Sequence, residues 1–288
     1  MNSRKGIILA GGHGTRLYPI TKGTCKQLLP VNDKPMIYYP LSTLMLAGIK
    51  DFLIITTPED LNSFKRLLSN GRILGINIEF ATQEYPKGIA QAFLIGEEFI
   101  ANDPVALILG DNLFHGSNLV PKLKEAAIKK ERSTIFGYQV SDPERYAVAK
   151  FNSQNKLIDI VEKPKNPSSN IAVTGCYFFD NTIVERAKKI KPSKRGELEI
   201  TDINLSYMKD NKLDIVDLGR GTTWLDMGTC ESLLQANSYV NTIENRQGLK
   251  IGCPEEISWR NGWITLENLK RNIKNLPQSD YSNYLKSL

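Results

Sequence analysis

The stretch LAGGHGTRLYP (residues 9–19) places Gly11, Gly12 and Gly14 just ahead of Arg16. Glycines after a strand expose backbone N–H groups and tolerate positive φ, which makes a nest for an anion. Arg16 closes the loop, and Lys26 follows in CKQLLP. Arginine offers a planar fork of donors and lysine a compact point charge. Flanking one glycine loop, the pair could hold a polyphosphate and take up negative charge that grows on it during reaction. The spacing GGxG excludes both the GxGxxG dinucleotide fingerprint and the GxxxxGK[ST] phosphate loop. The bland alternative is a tight turn into a helix.

Two carboxylates carry the second chemical signal. Asp111 ends the apolar run ALILGD, and Asp226 sits in TTWLDMGT. A carboxylate at a strand tip can hold a divalent cation, and Mg²⁺ commonly takes one or two carboxylates plus phosphate oxygens. Each aspartate equally fits a helix N-cap, since helical stretches are expected after both, and spacing leaves open whether the two meet. The chain has only two histidines, His13 and His115, and no Ser/His/Asp arrangement; both histidines read as loop or packing residues. Phosphate chemistry would need no base here. A phosphate monoester loses its second proton near pH ~6 and is a ready nucleophile at neutrality. What remains is to position repelling anions and neutralise their charge.

These residues need a scaffold. GIILA, DFLIITTP, INIEFATQ and PVALILGD read as strands, the apolar ones buried on both faces. PLSTLMLAGI, DLNSFKRLLSN and GIAQAFLIGEEFIA read as helices between them, the last with Ile89, Phe93, Gly96 and Ile100 on one face. That alternation predicts an α/β fold with a mostly parallel sheet flanked by helices. After Ser133 four closely spaced strands, STIFGYQV, YAVAKF, KLIDIVEKP and IAVTGCYFFD, predict an antiparallel or mixed extension. Helices return at 181–190, 199–211 and 229 to about 245, and the tail reads as two short helices split at Pro277. Tyr38, Tyr39, Phe93, Tyr177, Phe178 and Phe179 read as core; Trp224, close to Asp226, is open to either role.

Composition narrows the class. With 288 residues, 41% hydrophobic and 24% charged, the chain suits one large globular unit. Its net charge of +6 is dispersed, without the stripe that nucleic-acid binders carry. No span reaches membrane length. The four cysteines form no CxxC pair. The expectation is a cytoplasmic protein with reduced thiols, bound to neither nucleic acid nor membrane.

Ten blocks in order carry a resemblance from about Arg4 to about Leu285: KGIILAGGHGTRLYP, KQLLPVNDKPMIYYPLSTLMLAGI, GIAQAFLIGEEFI, LGDNLF, DPERYAV, EKP, AVTGCYFFD, KPSKRGELEITDIN, WLDMGT and IENRQGLKIGCPEEI. The chain resembles the sugar-nucleotidyltransferases, and within them the branch that activates glucose 1-phosphate with dTTP. That resemblance implies a Rossmann-like mixed sheet with an antiparallel sugar-binding extension and a helical C-terminal appendage. It divides the chain into a nucleotidyltransferase domain over 1–245, with a nucleotide half to about 132 and a sugar half over about 133–228, and an interface segment over 246–288. It implies that dTTP and glucose 1-phosphate become dTDP-glucose and pyrophosphate, towards dTDP-rhamnose-type deoxysugars, with Mg²⁺ and in a homotetramer.

Residue by residue, the same resemblance implies that Gly11, Gly14 and Thr15 cradle the phosphates, with Gln83 and Gly88 against the base. Arg16 and Lys26 would neutralise the triphosphate, and Asp111 and Asp226 would hold Mg²⁺. Tyr146, Ala147, Glu162 and Val173 would line the sugar pocket, and Lys163 and Arg195 would meet the sugar phosphate. Glu256 and Arg260 fall in IGCPEEISWRNGW, which resembles a region at a subunit interface where nucleotides regulate; interface packing is the competing reading. Ala147 departs from the family's usual Gly, as do His13, Cys25, Lys87 and Met227 from its usual residues. A UDP- or CDP-sugar pyrophosphorylase, or a non-catalytic nucleotide-sugar sensor, stands as the alternative.

Overall fold

The computed structural model describes residues 4–12 and 14–288. Its strands are β1 (Lys5–Ala10), β2 (Pro30–Val31), β3 (Lys34–Pro35), β4 (Asp51–Thr56), β5 (Asn77–Thr82), β6 (Val105–Leu109) and β7 (Asn112–Gly116). They continue as β8 (Ser133–Gln139), β9 (Ala147–Phe151), β10 (Leu157–Glu162), β11 (Ile171–Phe179), β12 (Leu213–Asp217) and β13 (Thr222–Asp226). Nine form one sheet in the order β10-β9-β11-β6-β1-β4-β5, with β8 beside β11 and β12 beside β8.

The strands β6, β1, β4 and β5 run parallel, with Leu9 paired to Leu109 on one side and to Ile55 on the other. Helices cover both faces, so neighbouring residues of one strand enter different cores. Ile8 packs with Phe52, Ile54 and Ile108, while Ile7 packs with Leu53, Ile55 and Leu107 on the opposite side. From β11 the pairing turns antiparallel, to β6, β8 and β9. The α/β class and the mixed extension are as the sequence predicts.

Three details differ. The helix expected over GIAQAFLIGEEFIA breaks into Gln91–Ile95 and Glu97–Ile100. A side chain on Gly96 would approach Leu53 Cδ2 to 3.0 Å and Ile7 Cδ1 to 3.2 Å, so the break lies where the helix presses closest on the sheet. Phe93 and Ile100 are fully buried, as their shared face requires. Next, β7, β12 and β13 were not foreseen, and neither aspartate is a helix cap. Asp111 leads into β7, and the helix Cys230–Gln247 is capped by Thr229, whose hydroxyl accepts the Ser232 N–H at 3.2 Å. A further helix, Pro254–Arg260, precedes the two tail helices Leu266–Ile273 and Asp280–Ser287.

The C-terminal segment has its own small core of Cys253, Ile264, Leu269, Ile273 and Leu285. It is also tied down by charge. Buried Glu244 accepts from Lys34 Nζ at 2.8 Å, Lys250 Nζ at 3.0 Å and the Ile251 N–H at 2.8 Å. Cys25, Cys176, Cys230 and Cys253 are all free thiols. No helix among the described residues is long and apolar enough to cross a membrane.

Candidate active site

Strand β1 lies between β4 and β6, so the sheet order reverses there, and the crevice beyond the carboxyl ends of such strands is where open α/β sheets bind ligands. Both chemical motifs emerge at that point: the glycine loop after β1, and Gly110-Asp111 after β6. The Gly110 N–H donates to Leu9 O at 2.9 Å, which holds the two exits together. The glycines have distinct reasons. A side chain on Gly11 would collide with Gln83. Gly14 has φ +61° and opens a 3-10 turn, Thr15–Leu17, rather than the α-helix of the bland reading. A side chain on Gly14 would also lie 3.2 Å from Lys26 Cβ, so Lys26 sits directly beneath the loop. His13 falls outside the described residues.

The two carboxylates do converge, through pairing that spacing could not reveal. Strands β7 and β13 form an antiparallel ribbon with Asp226 opposite Asn112, and the Met227 N–H donates to Asp111 O at 2.9 Å. Lys26 Nζ is ion-paired with Asp111 Oδ2. Asn112 is the residue that sequence reasoning missed. Its Nδ2 donates to Asp111 Oδ1 at 2.9 Å, and its Oδ1 accepts from Trp224 Nε1 at 2.6 Å and from the Gly175 N–H at 3.2 Å. Burial opposes ionisation of Asp111, but the Lys26 charge and hydrogen bond and the Asn112 bond outweigh it and hold its pKa below the usual carboxylate range. Asp226 Oδ1 accepts the Gly228 N–H at 2.9 Å.

A cavity of about 280 Å³ is lined by Arg16, Asp111, Asn112, Asp226 and Trp224, together with Tyr146, Ala147, Glu162, Lys163 and Val173. Arg145 and Tyr177 also line it. The first had no assigned role, and the second is both core and wall. Three cations, Arg16, Arg145 and Lys163, thus share one space with three carboxylates, Asp111, Glu162 and Asp226. Glu162 Oε2 accepts from Thr201 Oγ1 at 2.6 Å. Lys163 has φ +43°, an unfavourable conformation for a side-chain-bearing residue, and its N–H donates to Tyr146 O at 3.1 Å. Burial and then the Asp226 charge push the Tyr146 phenol up to about 12, so it remains a neutral donor. The Tyr146 ring packs on Trp224 with centroids 5.1 Å apart.

Arg195 does not line this cavity; its Nη2 lies at 3.4 Å from Glu162 Oε1. Gln83 and Gly88 also fall outside the lining. Buried Gln83 donates Nε2 to Gln91 Oε1 at 2.7 Å, which also accepts the Lys87 N–H at 3.0 Å. Gly88, at φ +104°, packs against the Leu198 backbone too closely for any side chain.

Among the described residues no group of three or more His, Cys, Asp or Glu side chains could hold a metal. Asp111 and Asp226 are two carboxylates on one cavity, a donor type that suits a hard divalent cation completing its shell with phosphate and water. A second cavity, about 250 Å³, is lined by Tyr39, His115, Gly116, Gly252, Glu256 and Arg260 among others. Glu256 accepts from Arg260 Nε and from the Tyr284 hydroxyl, both at 2.6 Å. His115 Nδ1 meets the Tyr239 hydroxyl at 2.7 Å, and burial lowers its pKa.

A glycine loop at the switch point, with charged groups of both signs around a common cavity, defines an α/β site for phosphate-bearing substrates. The family model described as Nucleotidyl transferase matches residues 5–243, and the chain belongs to that family. Within it the chain belongs with the glucose-1-phosphate thymidylyltransferases. The enzyme of that name from Neisseria meningitidis serogroup A is 57% identical over 281 residues, 98% of each chain. The one from Xanthomonas campestris pv. campestris is 55% identical over 288 residues, all of this chain and 98% of its own. A Bacillus anthracis protein of that description, crystallised with a sucrose, matches with a TM-score of 0.76 at 43% identity. That match covers 82% of this chain and 95% of the other.

Proposed function

We propose that this enzyme transfers a thymidylyl group from dTTP to glucose 1-phosphate, forming dTDP-glucose and releasing pyrophosphate. The observation that carries the reading is the one cavity in which Arg16, Asp111 and Asp226 meet Tyr146, Glu162 and Lys163. A phosphate oxygen of the sugar attacks the α-phosphorus in line, and the bond to the pyrophosphate oxygen breaks. The attacking dianion carries no proton to remove. The site therefore acts by alignment and charge.

Gly11, Gly14 and Thr15 present the loop to the triphosphate, with Arg16 beside it and Lys26 beneath it. Both cations take up charge leaving with pyrophosphate. Gln83 and Gly88 face the base. Lys163 and Arg195 hold the sugar phosphate, and Glu162, the Ala147 and Val173 backbones and Tyr146 hold the sugar. Asp111 and Asp226 would hold Mg²⁺, which when bound supplies further charge neutralisation to phosphate oxygens.

We assign the nucleotide half to about 1–132 and the sugar half to about 133–228, and infer a cytoplasmic homotetramer in which residues 246–288 form interface. Glu256 and Arg260 are assigned to a regulatory nucleotide site in the second cavity, and purely competitive inhibition with a single binding event by calorimetry removes that assignment. The main test is pyrophosphate release over four nucleoside triphosphates and several sugar 1-phosphates with Mg²⁺. The pair dTTP and glucose 1-phosphate is expected to be fastest. Another fastest pair reassigns the substrates, and release from none favours a nucleotide-sugar sensor.

A further inference from the structure

Arg195 presents a puzzle. It stands outside the cavity lining, its side chain is 40% exposed, and it is ringed by carboxylates: Glu162 at 3.4 Å, Glu197 at 3.3 Å and Glu199 at 2.8 Å. A cation so surrounded is a poor phosphate ligand unless the grip is directional. It is directional. Glu199 takes one edge of the guanidinium, accepting from Nε at 3.1 Å and from Nη2 at 2.9 and 2.8 Å. The Glu197 and Glu162 contacts fall on Nη2 as well. Nη1 makes no hydrogen bond or ion pair among the described residues, so the opposite corner is left to an incoming anion.

Glu199 is itself fixed. Its side chain is only 10% exposed, and Ser193 Oγ donates to Oε1 at 2.7 Å. It is the N-cap of the helix Ile200–Lys209, and that helix start also delivers Thr201, whose hydroxyl orients Glu162. One residue before it, Leu198 is laced to the nucleotide half, donating to Lys87 O at 2.7 Å and accepting the Ala90 N–H at 3.2 Å. The clamp on Arg195 is thereby referenced to both halves of the protein.

We propose that Glu199 is a positioning residue for the sugar phosphate: it holds Arg195 edge-on so that the free corner of the guanidinium meets the phosphate. This rests on the reading of Arg195 given above. Charge and position make opposite predictions. Removing a carboxylate near a phosphate site tightens binding if only charge matters, and weakens it if the bidentate grip sets the arginine's direction.

The experiment measures kcat, both KM values and the melting temperature for Glu199→Gln, Glu197→Gln, Arg195→Ala and Arg195→Lys. Glu199→Gln is expected to raise KM for glucose 1-phosphate about tenfold, the scale of one charge-assisted hydrogen bond, with KM for dTTP within about twofold. Glu197→Gln is expected to leave it level or lower. Arg195→Lys keeps the charge but loses the two-nitrogen grip, so it raises the same KM even where Glu199→Gln folds poorly. An unchanged or lower KM in Glu199→Gln, beside a raised one in Arg195→Ala, overturns the positioning role alone. An unchanged KM in Arg195→Ala overturns the reading of Arg195 on which it stands.

Discussion

Gly228 offers a way to move Arg16, the arginine proposed to meet the triphosphate, at little cost to the fold. Its backbone is not left-handed, so alanine is conformationally permitted there. A Cβ at that position would lie 2.7 Å from Arg16 Nη2, 2.8 Å from Asp226 Oδ1 and 3.2 Å from Arg16 Cζ. Comfortable contact begins near ~3.5 Å, so the guanidinium must retreat by roughly 0.8 Å. Asp226 is less free to yield, because its Oδ1 accepts the Gly228 N–H. The cost in stability is modest: the far end of the exposed Arg16 side chain can swing aside, and easing Asp226 away costs at most about the 1 kcal/mol of its hydrogen bond to the Gly228 N–H. The cost in catalysis is not, because a displacement of about 1 Å at a positioned group is worth up to ~10²-fold. Gly228→Ala is therefore expected to lower kcat by about 10- to 100-fold, or about 1.4–2.7 kcal/mol of transition-state stabilisation, with a loss of stability of about 1 kcal/mol or less. Pyrophosphate release under saturating substrates measures the first and circular dichroism the second. Gly175→Ala is the contrast: its Cβ would meet Asn112 Oδ1 at 2.6 Å and Leu109 Cδ1 at 2.7 Å, inside packed structure, so it should unfold the protein more easily. A Gly228→Ala enzyme within about threefold of wild-type kcat would refute the placement of Arg16 at the reacting phosphates.

Other perturbations follow from the same geometry. Lys26→Ala removes the partner of Asp111 and, on the proposed reading, a cation at the triphosphate, so turnover should fall by ~10²-fold or more in the pyrophosphate assay. Glu244→Ala leaves Lys34, whose side chain is 1% exposed, with only the less buried Asp33 as counter-charge at 2.5 Å, and urea denaturation should register a loss of about 3 kcal/mol, the low end for breaking a buried pair. The Arg132 hydrogen bonds hold the Asp214 pKa below its ordinary value, so this pair stabilises fully above pH ~4 and fades as pH falls through the lowered folded value. The gap between wild type and Asp214→Asn, up to about 1 kcal/mol at neutrality for a partly exposed pair, should close in melts taken progressively below that point.

The parallel core was legible because strands buried on both faces leave unbroken apolar runs, as in FLIIT and VALIL. The ribbon of β7 and β13 was not, because it is short and mixed. Asn112, His115, Thr222 and Asp226 interrupt its apolar residues, and each strand finds its partner in a distant part of the chain. Length and periodicity cannot report such a pairing, so a helix cap fitted Asp111 and Asp226 as well as a cation site did. The true cap, Thr229, lies just beyond.

Residue type and resemblance picked out the candidate site residues, but not the groups that hold them. Asn112 follows Asp111 and reads as an ordinary polar residue, yet it is buried and satisfied at both ends of its amide. A polar side chain at the head of a buried strand must find partners there or cost the fold dearly. That rule was the available signal, and it points to a structural polar hub wherever such a residue adjoins a candidate ligand. Glu199 belongs to the same class. In KRGELEITD three glutamates and aspartates look alike, but only one is shielded enough for its bond to Arg195 to fix a direction rather than merely balance a charge. Burial, which sequence does not print, is what separates a carboxylate that orients from one that is solvated.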